Sequence, residues 1–250
     1  MDTSLQFKPE DRLQKTWIPE GTKEYKTFKL TTLENRYLAA LLKERIPLKP
    51  DDLLLDVGGR DGDIGLELQN PEHFHLVDPD PTLKLSFTPA KFWNERIQDI
   101  RLEDKYKLII CCHVLGYLGT QHVQDEVFRE LSTALVQGGT LALFYNVNTG
   151  YMAELLQFSE DTIPDGHYDY FNESLLSELS SSEYSISYED VSFKLDYPTY
   201  EDLARCCWFL FGAKDQDIEG VAAKFLPKLK ADLKMPMFEV NERVALITRL

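Results

Sequence analysis

With 250 residues, 43% hydrophobic and 28% charged, the chain is long enough for one large domain or two small ones, with a core that needs no disulfide or metal staple. Its 27 Lys and Arg stand against 42 Asp and Glu, a net charge of −15. That argues against a nucleic-acid binder, which needs a basic face, and against docking on an anionic membrane surface.

The first ~20 residues read as a partly ordered arm. Met1 to Glu10 is polar and lacks the basic-then-apolar pattern of a signal peptide. Leu30 to Ile46 follows as an amphipathic helix, with Leu33, Tyr37, Leu41 and Leu42 at helical spacing, closed by Pro47 and Pro50. Leu53-Leu54-Leu55 is a short apolar run of the kind buried on both faces of a sheet. Ile64 to Gln69 begins a helix, and His73 to Val77 is a second strand ended by Asp78-Pro79-Asp80-Pro81. A weaker third strand is expected near Lys91 to Asn94 or Arg96 to Ile97, and a strongly apolar fourth at Leu108 to Cys112. Gln121 to Leu135 is a helix with Gly138-Gly139 as its stop, and Thr140 to Tyr145 a fifth strand. Strands alternating with helices predict a doubly wound α/β domain on a parallel sheet.

Beyond Gly150 the pattern changes. Tyr151 to Phe158 and Asn172 to Ser180 read as short helices around an aromatic loop, His167-Tyr168-Asp169-Tyr170-Phe171. Ser185 to Leu195 alternates as a strand, Thr199 to Phe211 and Ile218 to Leu233 are helices, and Phe238 to Thr248 is a closing strand. With no repeat or linker in view, the expectation is one domain over 1–250. It divides into an arm (1–29), a ligand-binding core (30–148), a cap with the sixth strand (149–212), and a final helix and strand (213–250). No stretch approaches the roughly 20 apolar residues that span a bilayer. Cys111–Cys112 and Cys206–Cys207 lack metal-ligand spacing and are expected as reduced thiols in a cytoplasmic protein. No metal cluster is expected.

The informative segment is Leu53 to Gly62, a buried strand running into the turn Asp56-Val57-Gly58-Gly59-Arg60-Asp61-Gly62. Glycines there let backbone approach a ligand closely, at the carboxyl end of the first strand where open α/β sheets bind ligands. Asp78, ending the second strand, can accept hydrogen bonds from both hydroxyls of a ribose. Together these features call for a nucleoside-containing cofactor. A dinucleotide site wants G-x-G-x-x-G, but Gly58, Arg60 and Asp63 occupy those positions. Asp61 and Asp63 also put negative charge where a pyrophosphate would sit. A cationic nucleoside suits the turn better, and S-adenosylmethionine, a sulfonium, is the obvious one.

At this point residues 30–148 resemble the class I S-adenosylmethionine-dependent methyltransferases. Their first motif is an acidic residue, an apolar one, then G-x-G-x-G, which Asp56 to Gly62 matches except that Arg60 replaces the middle glycine. The resemblance implies a seven-stranded, mostly parallel Rossmann-like sheet with an antiparallel last strand and a helical substrate cap. It implies a cofactor site of Asp56, Gly58, Gly59, Gly62, Asp78, Pro79, Gln98, Asp99, Cys112 and His113. In it Gln98-Asp99 lie beside the adenine amine, and the end of Lys107 to Leu118 lies beside the methionine moiety. His113 is the candidate general base. The leading helix and the tail, a strand, two helices and Phe238 to Thr248, resemble histamine N-methyltransferase-like enzymes. Tyr25, Phe28, Tyr145, Tyr168, Tyr170 and Phe171 are the candidate acceptor contacts.

The expected function is methyl transfer to a small molecule, an amine nitrogen ahead of a hydroxyl, because a neutral amine needs no strong base. Aromatic faces and a carboxylate would hold a cationic acceptor. The rivals are a protein or peptide methyltransferase, an inactive member of the fold acting as an interaction module, and, more distantly, a dehydrogenase.

Overall fold

The computed structural model describes residue 28 and residues 34–118, 120–162, 171, 173–179, 182–211 and 218–250. In chain order the elements are α1 (Glu34–Arg45), β1 (Leu54–Val57), α2 (Asp63–Leu68), β2 (Phe74–Val77), β3 (Lys91–Trp93), β4 (Tyr106–Cys112), α3 (Gln121–Thr133) and β5 (Leu135–Asn146). There follow α4 (Gly150–Thr162), α5 (Ser174–Ser177), β6 (Tyr184–Asp196), α6 (Tyr200–Phe211), α7 (Ile218–Asp232) and β7 (Met237–Arg249).

The seven strands form one sheet in the order β3-β2-β1-β4-β5-β7-β6. β1 to β5 run parallel to one another, β7 is antiparallel to β5, and β6 is antiparallel to β7. Six strands therefore share one direction and the last strand opposes them, as expected of the methyltransferase-type Rossmann-like sheet. β1 and β2 are buried at every residue. They read as continuous apolar runs because helices cover both faces. On one face Leu55, Val57, Ile109 and Leu143 pack with Val127, Phe128 and Leu131 of α3. On the other, Leu54, Leu76, Ile110 and Phe144 pack with Leu38, Leu41 and Leu42 of α1.

The fifth strand differs from its sequence reading. Gly138-Gly139 does not stop a helix: α3 ends at Thr133 and β5 begins at Leu135, so the glycines lie inside the strand. Register jumps there, from Tyr106↔Leu135 to Leu108↔Thr140. Gly138 takes φ +70 at the irregularity, and the Lys107 ammonium donates to its carbonyl. The glycine pair reads as a helix stop in sequence, but here it marks a bulge. The third strand is Lys91–Trp93, the first of its two expected places, while Arg96 and Ile97 lead into a 3₁₀ turn at Ile97–Asp99.

Register also places the cap. Asn146, the last residue of β5, pairs with Glu242, while Met237 to Asn241 of β7 pair only with β6. The β6–β7 ribbon thus runs five residues past β5, about 17 Å. Its apolar side (Leu195, Phe238, Val240) seats α4, α6 and α7 through Leu155, Cys207, Phe211 and Phe225. This helical layer packs on the ribbon beyond the carboxyl end of β5. α7, grouped with the last strand in the sequence reading, packs with the cap helices. The four cysteines are free thiols.

Candidate functional site

The glycine turn leaves β1 with Gly58 at φ +68, Arg60 at φ +49 and Gly62 at φ +73. The Gly58 N–H donates to the Val77 carbonyl at 2.7 Å, and the Gly62 N–H to the Gly59 carbonyl at 2.8 Å. Two glycines are required by space. A Cβ on Gly58 would lie 2.4 Å from Val114 Cγ2, and one on Gly59 would lie 2.3 Å from Asp56 Cγ. The first close approach brings the turn against the segment that leaves β4. The second folds it over the Asp56 carboxylate. Asp56 is 1% exposed, so it braces the turn from beneath. Burial, then the Asp78 charge, pushes its carboxyl up to about 7, against the Gly65 N–H bond that favours the anion.

Asp78 stands one residue beyond β2. Its Oδ2 accepts the Arg60 N–H at 3.0 Å and its Oδ1 the Asp80 N–H at 2.9 Å. Each oxygen keeps a second lone pair, as two ribose hydroxyls require. Asn94 fastens the loop by donating to the carbonyls of Asp78 and Asp80, at 2.8 Å and 2.7 Å. The Arg60 guanidinium lies 3.8 Å from the fully buried Asp80 carboxylate. Burial raises the Asp78 pKa, opposed by the Asp80 N–H and the Arg60 charge. Pro79 is exposed in the same loop. In the turn after β3, Gln98 Oε1 is buried and meets no donor among the described residues, an acceptor suited to an adenine amine. Asp99 is turned to Arg96, 2.6 Å away.

Beside β1, β4 ends at Cys112, and His113 follows in the left-handed region at φ +57, its N–H donating to the Phe144 carbonyl at 2.9 Å. The His113 ring meets two acids. Its Nε2 is 3.2 Å from Glu34 Oε1 of α1 and 3.2 Å from Glu242 Oε1 of β7. Cys112 Sγ is 3.7 Å from the same Glu34 oxygen. Burial opposes the imidazolium, but the Cys112 sulfur and the Glu242 carboxylate more than offset it and hold the His113 pKa well above its ordinary value. Burial, then Glu34, pushes Glu242 up to about 7. His113, Tyr145 and Phe171 line one narrow pocket with Cys111, Leu115 and Phe144, and the Tyr145 and Phe171 rings touch at 4.9 Å between centroids.

The structure thus gathers Gly58, Gly59, Gly62 and Asp78 with Cys112 and His113 at the carboxyl ends of β1, β2 and β4. It joins Tyr145 and Phe171 to His113. Phe28 instead packs against the cap core. Tyr25, Tyr168 and Tyr170 lie outside the described residues.

Sequence reasoning missed Glu34 and Glu242, and both carried a signal. Phe238, Val240, Val244 and Leu246 alternate as inward positions of β7, and Glu242 falls in phase with them. Glu34 is in phase with Leu38, Leu41 and Leu42 on the buried stripe of α1. A charged residue at a core-phase position marks a polar site inside the protein.

No family model and no curated protein matches the sequence. Solved structures do. The N-methyltransferase NodS from Bradyrhizobium japonicum WM9, in complex with S-adenosyl-L-homocysteine, matches with a TM-score of 0.53 at 13% identity, covering 96% of this chain and 95% of that one. Coclaurine N-methyltransferase bound to N-methylheliamine and S-adenosylhomocysteine matches at 0.51 and 11%, covering 93% and 76%. The [4+2]-cyclase SpnF matches at 0.56 and 17%, covering 86% and 80%. At such identities the likeness is one of fold: the chain has the fold of the class I S-adenosylmethionine-dependent methyltransferases. SpnF, named as a cyclase, indicates why the reaction must be argued from the site.

Proposed function

We propose that the protein is an S-adenosylmethionine-dependent methyltransferase acting on a small-molecule acceptor, an amine nitrogen ahead of a hydroxyl. The observation that carries this reading is the pairing of the Gly58–Gly62 turn with Asp78, at the carboxyl ends of neighbouring strands. Backbone closeness there suits a nucleoside, and the carboxylates below and beside it suit a cation rather than a pyrophosphate. Asp78 and the adjoining Pro79 would hold the ribose, with Gln98 and Asp99 at the adenine. Gly58, Gly59, Gly62, Cys112 and the His113 backbone would hold the methionine portion, and Asp56 would keep the turn in shape. NodS and coclaurine N-methyltransferase, both solved with S-adenosylhomocysteine, support the same cofactor.

The cofactor supplies an activated methyl group on sulfur, so this chain's residues position the acceptor and exclude water. Tyr145 and Phe171 give the pocket beside His113 its aromatic wall. Tyr25, Tyr168 and Tyr170 would complete it from the arm and cap, while Phe28 packs against the cap core. A cationic amine is drawn by Glu34 and Glu242, and its proton passes to the Glu34–His113–Glu242 unit before the nitrogen attacks. The likeness of the tail to histamine N-methyltransferase-like enzymes favours a small aromatic amine, although the compared structures do not single that acceptor out. The division into a cofactor core over 30–148 and an acceptor wall over 149–212, to which α7 adds, follows from the same reading. We place the protein in the cytoplasm on its four free thiols. Among the described residues no helix is long and apolar enough to cross a membrane.

Calorimetry with S-adenosylmethionine and S-adenosylhomocysteine against NAD tests the cofactor. Binding of the adenosyl ligands alone is expected, and no binding at millimolar concentration would leave an interaction module as the reading. A labelled-methyl assay over amines, phenols and basic peptides then sorts the acceptors. Transfer only to peptides would overturn the small-molecule reading.

A further inference from the structure

The cluster at the end of β4 has spacings that a metal ion would also fit. Two carboxylates, from Glu34 and Glu242, each lie 3.2 Å from the same His113 nitrogen. One N–H cannot be well aimed at both. Charge-assisted bonds between a cationic nitrogen and a carboxylate close to about 2.7–2.9 Å, and neither pair does. The spacings instead match the edges of a tetrahedron around a metal. Bonds of about 2.0–2.2 Å to nitrogen and oxygen and about 2.3 Å to sulfur give edges of about 3.3 Å for N···O and about 3.5 Å for S···O. The observed edges are 3.2 Å for His113–Glu34 and 3.7 Å for Cys112–Glu34. Ligand atoms of Glu34, Cys112 and His113 all fall within 4.8 Å of one another.

One further observation points to a ligand at the cluster. Glu242 is 3% exposed, yet its Oε2 meets no hydrogen-bond donor among the described residues. Oε1 faces the His113 ring, and Oε2 is left to accept from a group brought to the cluster. An entry path is present, because the His113 side chain keeps 21% exposure.

We propose that Glu34, Cys112 and His113 form a binding site for a zinc ion, with the Glu242 carboxylate beside His113 as an outer partner. Sulfur and imidazole select zinc over magnesium or calcium, which take oxygen ligands. A His113 nitrogen whose lone pair holds the ion has none left for a proton, so the zinc-loaded and proton-accepting states of the cluster exclude each other. The site needs neither cofactor nor methyl acceptor, so its failure would leave the methyltransferase reading untouched.

The test is titration of the chelator-treated full chain with zinc alone, read by calorimetry, and with cobalt(II), read by absorption. One equivalent is expected to bind, with a sulfur-to-cobalt charge-transfer band in the near ultraviolet. Cys112→Ser should remove the band. Glu242→Gln, nearly isosteric, should weaken zinc binding by about 10–100-fold, with an unchanged far-ultraviolet circular dichroism spectrum. His122→Ala should change nothing, because His122 pairs with Glu126 on an exposed helix face. Absence of stoichiometric zinc binding to the wild-type chain would overturn the proposal. So would a cobalt band that survives Cys112→Ser, or zinc affinity unaltered by Glu242→Gln.

Discussion

Replacing Asp56 by Asn should abolish a specific part of the protein's pH-dependent stability. The carboxyl titrates near 3.8 when exposed and near 7 in the fold, where burial is the main cause. The shift is upward, so the sign is fixed. The folded state holds the proton more tightly, and the stability linked to it is present in full below about pH 4 and lost as pH rises through about 7. At 1.36 kcal/mol per pH unit the penalty is about 1.6 kcal/mol at pH 5 and about 4.3 kcal/mol at pH 8. The wild-type chain should therefore lose roughly 3 kcal/mol through this group between those pH values, about 1 M in urea midpoint at a slope of 2–3 kcal/mol/M. Asn fills the same space and can still accept the Gly65 N–H, but it does not ionise. Groups common to both chains cancel when the profiles are subtracted, except Asp78, which is eased in the same direction by the loss of its charged neighbour. Urea unfolding of both chains at pH 5, 6, 7 and 8 gives the difference. Parallel profiles would refute the reasoning, because they would mean that the Asp56 carboxylate is already paid for in the folded state.

Asp78→Ala should weaken S-adenosylhomocysteine binding by at least ~1–3 kcal/mol, read by calorimetry. Asp78→Asn should also lower the melting temperature, because both carboxylate oxygens accept a backbone N–H and an amide would turn one acceptor into a donor. Gln98→Leu should lower adenosyl-ligand affinity about tenfold without loss of stability, since Oε1 meets no donor among the described residues. Gly59→Ala should destabilise by about 1–3 kcal/mol through its clash with Asp56, and less so in an Asp56→Ala background, a coupling that a double-mutant cycle reads directly. Gly138→Ala meets only Lys107 Nζ at 3.6 Å, so its cost should be limited to the left-handed backbone, about 1–2 kcal/mol in thermal unfolding.

The parts of the fold legible in sequence were those whose burial is unambiguous. Leu54 and Leu55 are apolar on both faces of β1, and β7 keeps a two-residue alternation over most of its length, so either could be placed without knowing its neighbours. Gly138-Gly139 was not legible, because a positive-φ glycine ends a helix and bulges a strand equally well. Only the jump from Tyr106↔Leu135 to Leu108↔Thr140 distinguishes the two. The glycine turn and its ribose acid could be read because Asp56 to Asp78 cluster at strand ends within about 25 positions. The acid half could not, because Glu34, His113 and Glu242 meet only when α1 covers the sheet and β7 inserts beside β5. The phase of each acid within its apolar stripe was visible, but the partner that makes such burial tolerable was not.

That difference also changes what the net charge of −15 means. Most of the excess acid is exposed and serves solubility. Five carboxylates among the described residues are buried: Glu34, Asp56, Asp78, Asp80 and Glu242. All five gather at the carboxyl edge of the sheet, two on the His113 side and three under or beside the glycine turn. Among the described residues, Arg60 lies against Asp80, and His113 lies between Glu34 and Glu242. Desolvating that many acids at one edge is costly unless positive charge arrives. Burial, with the neighbouring carboxylates Asp78 and Glu34, has already pushed Asp56 and Glu242 to about 7. A sulfonium over the turn and an ammonium or zinc ion at His113 would each relieve one half of the same imbalance. On the proposed reading the edge takes cations at two adjoining places, and the identity of each is a question of shape and donor type rather than of charge.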